Sequence, residues 1–584
     1  MPPIDRAAWS RWSRACGYAA SSTRRPRPPP GGTPPTMPVV TSRGGATMQT
    51  CEPRETVGTD GSKERARVVV LGAGPAGMAA ALRLAEAGLR ALVLDQARAP
   101  GGQIYRDLDQ PQLDAAVMGK DYHRGRALVG AFLDAARRGE IDYRPGTRVW
   151  WIEALDDALN DALNDGLNDA HRLGVRGHDG ISRELVAERL IIATGAMERG
   201  WPFPGWQLPG VMQAGAAQIL MKQGALLTEG PPVLAGNGPL LYLLAWQYLN
   251  AGCPPRMILD TAPNLGLART LRHPLRAWRA RGYLAKGARM LATLRRAGVP
   301  VVRGVQSLAA EGDQRLTGVR YRRRGDDQEH KLKTDWLLTH MGVVPEPQLP
   351  RGLGIEHRWQ EAQQAFVPDR RDDLSVRPGV WLAGDGGGIG GAMNAEREGR
   401  LAALAVLDEL MADLMDKPQD TTANAKGAAA PRPDADNRRA VARDSARESA
   451  RAIARESAAL RRRRRLDLSG RRLLDALFTP PADWVERQPG ETLICRCEGV
   501  SQAQLKAALG AGPAGPNQLK AFTRCGMGPC QGRLCGTNVS RLMAREQGRD
   551  MDEVGYYRIR PPLTSITLGE LALAPSDHLT TQSQ

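Results

Sequence analysis

Short runs of apolar residues that end at glycine are the strongest pattern along this chain. Residues 68–71 are all apolar and lead directly into Gly72-Ala-Gly74-Pro-Ala-Gly77, after which small residues continue through residue 85. A second apolar run, residues 91–94, ends at Asp95. Short continuous apolar runs are typical of strands that are buried on both faces of a parallel sheet. The pattern therefore predicts a strand, a tight turn, a helix and a second strand, which is the unit of a doubly wound, Rossmann-like α/β fold.

The three glycines of this first turn have the spacing that a dinucleotide requires. Gly72 makes the tight turn, Gly74 lets the backbone approach a pyrophosphate, and Gly77 lets the helix pack closely on the strand. The helix N-terminus adds free N–H groups and partial positive charge. Asp95, at the end of the second strand, is in the position from which an acid can hold ribose hydroxyls. We predict a nucleotide site here.

Further candidate residues follow other predicted strands. They are Gly102 and Gln103 after the second strand, Thr194 and Gly195 after the run at 189–193, and Gly384 and Asp385 after the run at 380–383. Together with the first turn, they resemble the two-dinucleotide-binding-domain flavoprotein superfamily. The resemblance implies that FAD is the nucleotide, that the late Gly-Asp contacts the flavin chain, and that the next helix points its N-terminus at the isoalloxazine ring.

A second glycine-rich turn is less complete. Gly236 and Gly238 follow an apolar run, but Leu241 stands where a third glycine would be. Binding of NAD, of ATP or of no ligand all remain open at this turn. If NAD binds, Asp260 at the next predicted strand end would favour it over NADP, because a carboxylate repels a 2′-phosphate.

Five of the eight cysteines lie within forty-one residues near the end of the chain, at 495, 497, 525, 530 and 535. A [2Fe–2S] cluster takes four thiolates, and interspersed glycines let a backbone fold tightly around it. We predict Cys495, Cys497, Cys530 and Cys535 as ligands, with Cys525 as the alternative ligand. Zinc is the competing interpretation, but Cys-x-Cys is less usual in zinc knuckles.

The net charge of +17 is unevenly distributed. Residues 437–472 hold thirteen arginines against four acids, and much of the remaining excess lies in residues 1–67. Because the predicted folded domains are close to neutral, we expect no nucleic-acid partner. The absence of a secretory pattern or a long apolar run predicts a cytoplasmic protein with reduced thiols, in contact with a membrane at most peripherally.

Composition and motif order predict six regions. They are a disordered N-terminal extension (1–64), an FAD-binding domain (65–229 and 335–415), a second nucleotide-binding domain with a basic helical insert (230–334), an Arg/Ala-rich linker (416–480), a helical [2Fe–2S] domain (485–545) and a C-terminal tail (546–584). The five arginines 461–465 are expected to form a solvated helix face or tether.

Three segments carry a closer resemblance. They are CRCE at 495–498, TRCGMGPCQGRLC at 523–535 and YYRIRPPLTSITLGELA at 556–572. They resemble the bacterioferritin-associated-ferredoxin-like domain of one flavoprotein group, the α or A subunits of heteromeric amino-acid and opine dehydrogenases. The resemblance implies that this chain carries electrons from a D-amino-acid-oxidase-like flavoprotein β subunit to a quinone or similar acceptor.

Two other functions compete with this interpretation. The chain could be a stand-alone NAD(P)H-dependent flavin and iron–sulfur reductase, or a redox-sensing binding module without turnover. A thiol–disulfide reductase is excluded, because no Cys-x-x-Cys or Cys-x4-Cys follows the first turn. The sequence identifies no catalytic residue, since His340 and Glu396 are both expected to be structural.

Overall fold

The computed structural model describes residues 64–109, 113–155, 169–262, 274–416 and 433–572. The N-terminal extension predicted at 1–64 therefore lies almost wholly outside the described residues. The strands are β1 Glu64–Leu71, β2 Ala91–Asp95, β3 Ile141–Pro145, β4 Arg148–Ala154, β5 His171–Arg176, β6 Ser182–Ile192, β7 Ala196–Glu198, β8 Val211–Gln213, β9 Val233–Asn237, β10 Met257–Asp260, β11 Val301–Arg303, β12 Val305–Glu311, β13 Gly318–Arg323, β14 His330–Lys333, β15 Leu337–Met341, β16 Val343–Pro345, β17 His357–Gln360, β18 Ala365–Pro368, β19 Ser375–Arg377, β20 Val380–Leu382, β21 Leu493–Cys495 and β22 Val500–Ser501.

The α-helices are α1 Pro75–Glu86, α2 Ala115–Met118, α3 Lys120–His123, α4 Arg126–Arg137, α5 Ala214–Gly224, α6 Pro239–Asn250, α7 Pro274–Arg279, α8 Arg281–Arg296, α9 Gln348–Gly352, α10 Ala392–Asp416, α11 Pro433–Leu477, α12 Gln502–Leu509, α13 Pro516–Thr523, α14 Gly536–Gln547, α15 Met551–Val554 and α16 Leu568–Ala572. A 3₁₀ turn, Gly384–Gly387, follows β20. Within the described residues, the structure has no helix that is both long and apolar enough to cross a bilayer.

The first sheet has eight strands and a parallel centre. Its order is β19-β20-β6-β1-β2-β3, and β4 and β5 add an antiparallel extension to β6. Leu71 pairs with Leu94 and with Ile192, and Ile192 pairs with Leu382. The carboxyl ends of β1, β2, β6 and β20 therefore meet at one edge of the sheet. Every residue that the sequence predicts for the first nucleotide site either ends one of these strands, as Asp95 does, or follows one of them.

Small residues let two helices lie close against this sheet and against each other. A Cβ at Gly77 of α1 would lie 1.8 Å from the Gly72 carbonyl oxygen, and one at Gly399 of α10 would lie 2.0 Å from that of Ala76. The third glycine of the motif therefore does what the spacing predicts, since only a hydrogen atom fits between helix and strand.

The second sheet is fully parallel, with the order β11-β10-β9-β15-β8. It includes residues 211–213 and 337–341, which the sequence assigned to the FAD-binding domain. The second domain therefore extends beyond the predicted bounds of 230–334. Apolar runs reveal strands but not the sheet that they join, and the chain crosses between the two sheets through the antiparallel pair β7 and β16.

The linker expected at 416–480 contains a long helix in its described part. Helix α11 packs along α10, and Ile453, Leu460 and Leu473 on it are buried. Of the two expectations for the arginines 461–465, a solvated helix face agrees with the exposed Arg462, Arg463 and Arg465, whereas a tether does not agree with a packed helix. Apolar residues are sparse on this helix, so its composition resembles that of a solvated segment even though one narrow stripe contacts the folded domain.

The cysteine region forms a small domain of short helices around its own core. That core contains Val485, Ile494, Leu505, Leu519, Val539 and Leu542. The tail joins it to the rest of the protein, because Tyr556 and Tyr557 lie in this core while Leu563 is buried in the core of the first sheet. The cysteines and the first sheet are thus parts of one packed unit.

Candidate functional site

The first glycine-rich turn leaves open space at the start of α1. Gly72 has φ +103°, and a Cβ on it would meet the carbonyl oxygen of Ala193 at 2.6 Å. Gly74 is the N-cap of α1 and has extended backbone, and a Cβ there would meet only the Cα of Gly102, at 3.8 Å. The turn therefore offers the free N–H groups of a helix N-terminus to a ligand that approaches along Gly74.

Asp95 braces this turn from the end of β2. Its carboxylate accepts hydrogen bonds from the backbone N–H of Ala73 and of Ala97, each at 2.8 Å. Burial raises the pKa of the Asp95 carboxyl, while the two amides act in the opposite direction. The acid thus holds the glycine-rich loop in shape, in addition to the contact with ribose that the sequence predicts.

The loop with Gly102 and Gln103 closes over the same space. A Cβ on Gly102 would lie 2.9 Å from the Cα of Gly74. Gln103 Nε2 donates to the carbonyl oxygen of Ala196 at 2.7 Å, and the backbone carbonyl of Gln103 accepts from Lys222 Nζ at 2.7 Å. The sequence-predicted residues of β1 and β2 therefore meet here.

The residues after β6 and β20 complete the site. Gly384 has φ +80°, and a Cβ on it would lie 3.0 Å from that of Ala76. Asp385 Oδ1 accepts from the backbone N–H of Gly390 and of Gly391, each at 2.8 Å, which holds the turn before α10. Thr194 and Gly195 lie beside the two turns, because a Cβ on Gly72 would lie 3.6 Å from the Thr194 Cα and one on Gly386 would lie 3.3 Å from the Gly195 carbonyl oxygen.

A dinucleotide fits this first site. The Thr194 hydroxyl is shielded from solvent and has no protein partner, which leaves a donor and an acceptor for a ligand. Gly72 and Gly74 leave the backbone open, and the N-termini of α1 and α10 both lie at this edge of the sheet. The pattern of donors suits a pyrophosphate and a flavin chain.

The second glycine-rich turn is closed by the protein itself. As at Gly72, a Cβ on Gly236 would meet the backbone of a neighbouring strand, here the carbonyl oxygen of His340 at 1.7 Å. In this turn the His340 ring also packs on Gly238, where a Cβ would lie 3.2 Å from the ring. Asn237 Nδ2 donates to the carbonyl oxygens of Phe478 and Thr479, at 3.1 and 3.2 Å. These two residues follow the C-terminal end of α11 and cover the crevice at which a nucleotide would enter.

The acidic residue near the second turn, Asp260, also accepts hydrogen bonds from the protein. Asp260 Oδ1 accepts from Ala262 N at 2.8 Å, and the Tyr242 hydroxyl on α6 donates to its other oxygen. His340 itself is held by Glu198, with 2.5 Å between Nδ1 and Oε1. The structure therefore gives Asp260 and His340 internal partners at this turn.

The five clustered cysteines come together in one small region. The sulfur atoms of Cys495, Cys525 and Cys535 all lie within 4.8 Å of one another. Cys497 and Cys530 form a neighbouring pair, and Cys497 is exposed. Hydrogen bonds from Cys525 and Cys535 lower the pKa of Cys495, which favours its thiolate.

This region fits a metal cluster. A Cβ on Gly528 would lie 2.2 Å from the Cβ of Cys497, and Cβ atoms on Gly526 and Gly532 would each collide with the Tyr557 ring. The tight backbone therefore needs its glycines. The buried group of three thiols includes Cys525, the alternative ligand, while Cys497 is exposed and Cys530 is half-buried.

Two polar residues of the first site were missed by sequence reasoning. Lys222 is buried on α5 and donates to the loop after Gly102, and burial together with Arg106 lowers its pKa to about 7. Glu398 on α10 is fully buried and accepts from the Gly384 amide at 2.9 Å. A lysine on the otherwise small and apolar face of α5 was a usable signal, whereas no local pattern marked Glu398.

Comparisons with family models cover both parts of the molecule. Residues 66–399 match the pyridine nucleotide-disulphide oxidoreductase family, and residues 490–574 match the sarcosine oxidase A3 domain.

Curated relatives extend over most of the chain. The A subunit of opine oxidase from Agrobacterium tumefaciens is 39% identical over 87% of this chain and 92% of its own length. The HcnB subunit of hydrogen cyanide synthase from Pseudomonas aeruginosa is 31% identical over 86% of this chain and 97% of its own length. The predicted resemblance to this group of subunits is confirmed.

Among solved structures, L-proline dehydrogenase from P. horikoshii has a similar fold. It has a TM-score of 0.58 with 17% sequence identity, over 87% of this chain and 80% of that chain. The likeness, with one sheet that has a parallel centre and one that is fully parallel, confirms the predicted α/β fold.

Proposed function

Because this chain belongs to the family of the opine oxidase A subunits and is an oxidoreductase of the pyridine nucleotide-disulphide oxidoreductase family, we propose that it is the electron-transfer subunit of a heteromeric dehydrogenase. Its donor would be the C–N bond of an amino acid or an opine. When bound, FAD would accept two electrons at once, and a [2Fe–2S] cluster would carry them singly.

The observation that carries this proposal is the presence of two cofactor-type sites in one packed unit. Gly72, Gly74, Thr194 and Gly384 line the site that would hold FAD. The predicted ligands of the cluster are Cys495, Cys497, Cys530 and Cys535, and Cys525 is the alternative. The protein's own task is to hold both groups at a fixed separation and in a controlled environment.

The partners follow from the family and remain proposals. The relatives carry the printed names of subunits. These names support the proposal of a partner subunit that oxidises the substrate. We propose, from the resemblance of the cysteine segments, that this partner is a D-amino-acid-oxidase-like flavoprotein β subunit. The acceptor would be a quinone or a similar compound. We propose that the complex lies in the cytoplasm, with peripheral contact at the inner face of the membrane.

The closed second turn supports this function over that of a stand-alone NAD(P)H reductase. Asn237 is hydrogen-bonded to the segment that covers the turn, and Asp260 has internal partners. A reductase would need this crevice open to its dinucleotide. We therefore propose that neither NAD nor ATP binds at Gly236 and Gly238 in the folded protein.

The test is the visible absorption spectrum of the anaerobic purified chain before and after NADH is added. We expect flavin bands over broad iron–sulfur absorption, no change with NADH, and bleaching with dithionite. Bleaching by NADH alone would show a reductase and contradict the proposal. A spectrum without flavin would contradict the assignment of FAD to the first site.

The ligand set is tested by single replacements in the same assay. Cys495→Ala and Cys530→Ala are expected to abolish the iron–sulfur absorption and leave the flavin bands, whereas Cys253→Ala, remote from the domain, leaves both. If Cys530→Ala retains the cluster and Cys525→Ala loses it, Cys525 is the ligand and the predicted set is wrong.

A further inference from the structure

Helix α11 contacts the first site through the side chain of Arg464. Arg464 Nε donates to Glu398 Oε1 at 2.7 Å, and the Arg464 side chain is 16% exposed. Glu398 lies in the second turn of α10 and is completely buried. We propose that Arg464 is a positioning residue for the glycine-rich loop at residues 384–391. This proposal rests on the function proposed above, since it concerns the loop that would contact the flavin chain.

The Glu398 carboxylate connects α11 to this loop. Its Oε2 accepts from the backbone N–H of Gly384 at 2.9 Å and from Arg370 Nη1 at 2.7 Å. Its Oε1 accepts from Arg370 Nη2 at 3.1 Å and from Asn394 Nδ2 at 3.0 Å, in addition to Arg464. A buried carboxylate is stable only when its oxygens are fully hydrogen-bonded. Loss of one donor therefore shifts the carboxylate or the donors that remain.

Two guanidinium groups keep this carboxylate ionised. Burial by itself raises the pKa of Glu398, but Arg370 and Arg464 hold it below its usual range. Arg370 is constrained from other sides, because its Nη1 also donates to the Leu382 carbonyl oxygen and its guanidinium packs on Gly387. Arg370 is thus part of the loop's own packing, whereas Arg464 comes from a separate helix and adds an independent restraint.

Gly384 transmits this restraint to the nucleotide site. It lies against Ala76 in the first turn of α1, with φ +80°. The other end of the loop is held by Asp385, whose carboxylate accepts from Gly390 and Gly391. The hydrogen bond from Gly384 to Glu398 therefore fixes the end of the loop that touches the first glycine-rich turn.

The arginines beside Arg464 provide matched controls. Arg462 and Arg465 are exposed on the same helix. Replacing Arg462 removes one positive charge and the same side-chain volume, two residues away, without touching Glu398. A difference between Arg464→Ala and Arg462→Ala thus reports the contact and not the charge or the stability of the helix.

The experiment is hydrogen–deuterium exchange of the full chain without added nucleotide, followed by mass spectrometry of the peptide that covers 383–391. In Arg464→Ala we expect this peptide to exchange about tenfold faster than in the unsubstituted protein, the effect of losing one hydrogen bond to a charged group. In Arg462→Ala it is expected to exchange at the unsubstituted rate. Equal exchange in the two variants overturns the proposal, as does faster exchange spread over the whole chain.

A titration with FAD separates this inference from the proposed function. The dissociation constant for FAD should rise about tenfold in Arg464→Ala and be partly restored in Arg464→Lys, which keeps the charge. If Arg464→Ala does not fold, Arg464→Met keeps much of the apolar stem, removes every donor and is measured instead, with the same outcomes. An unsubstituted chain that binds no FAD contradicts the proposed function alone, because the exchange measurement still decides the role of Arg464.

Discussion

The two glycine-rich turns have similar sequences and opposite surroundings. At the first turn, a methyl group on Gly74 would meet only the Cα of Gly102, at 3.8 Å. At the second, a methyl group on the matching Gly238 would lie 3.2 Å from the His340 ring, and Asn237 is hydrogen-bonded to residues that follow α11. Both turns join a buried parallel strand to a helix.

The difference shows what a glycine motif does and does not establish. The first glycine of each turn reports the close approach of a neighbouring strand end, at Ala193 for Gly72 and at His340 for Gly236, so this feature is common to both turns. Ligand binding needs in addition that the crevice beyond the turn be free. Only distant parts of the chain decide this, here the segment at 478–479.

The largest effect is expected from Gly74→Ala. The ligand-free fold has room for the methyl group, but this group would lie where a pyrophosphate approaches the helix N-terminus. We expect the affinity for FAD to fall about a hundredfold, about 2.7 kcal/mol, with an unchanged melting temperature of the ligand-free protein. Flavin fluorescence titration and thermal unfolding measure the two quantities.

The matching substitution at the second turn is Gly238→Ala. Gly238 has φ +114°, and a Cβ on it would lie 3.2 Å from the His340 ring. This variant should lose stability and keep its affinity for FAD. If instead Gly238→Ala loses its affinity for FAD and Gly74→Ala keeps it, FAD binds at the second turn and our assignment of the two turns is wrong.

The next effect is expected from Asn237→Asp. The carboxylate would face the carbonyl oxygens of Phe478 and Thr479 with no proton to donate. The segment at 478–479 is then held less tightly over the second turn. We expect a loss of about 2 kcal/mol in the free energy of unfolding, measured in urea. Asn250→Asp, which removes a similar amide bond to Ala116 at an exposed position, should change it by less than about 0.5 kcal/mol. Equal losses in both variants would mean that the cover contributes no stability.

The smallest effect concerns Lys222, which braces the loop of the first site. Its pKa is lowered to about 7, first by burial and then by Arg106. In the unfolded chain it titrates near its ordinary value of about 10.4, so between these values the unfolded state binds more protons and stability rises with pH. Relative to Lys222→Met, the free energy of unfolding should increase by about 1 kcal/mol from pH 7 to pH 8. Parallel pH dependences of the two proteins would show that Lys222 stays charged.

Much of the first site could be predicted because its parts are local. Gly72, Gly74 and Gly77 are within one turn and one helix, and their roles depend on backbone geometry that a few consecutive residues decide. Thr194 and Gly384 each follow an apolar strand, and carboxyl ends of parallel strands meet at one edge. The family could be predicted for the same reason, since the cysteine segment is a contiguous pattern.

The contacts of the charged residues could not be predicted in this way. Arg464 lies in the same run of five arginines as the exposed Arg462 and Arg465, and only the rotation of α11 against α10 turns it towards Glu398. Lys222 likewise donates to the carbonyl oxygen of Gln103, in a loop that is remote in the chain. Asp95 accepts from the N–H of Ala73, in the turn after β1, as well as from that of the nearby Ala97. The free-energy cost of burying a charged group and the pKa of that group depend on its burial and on its partners, which the spacing of residues in the sequence does not describe.

From the sequence alone follow the α/β class, the glycine-rich turns, the clustered thiols and the family, because each depends on short-range patterns of size, polarity and backbone freedom. Three features are visible only in the tertiary structure. They are the sheet to which β8 and β15 belong, the turn of the two that is open, and the packing of the arginine-rich segment as a helix. These outcomes depend on which surfaces meet, and a closed crevice or a buried ion pair exists only once distant segments have been brought into contact.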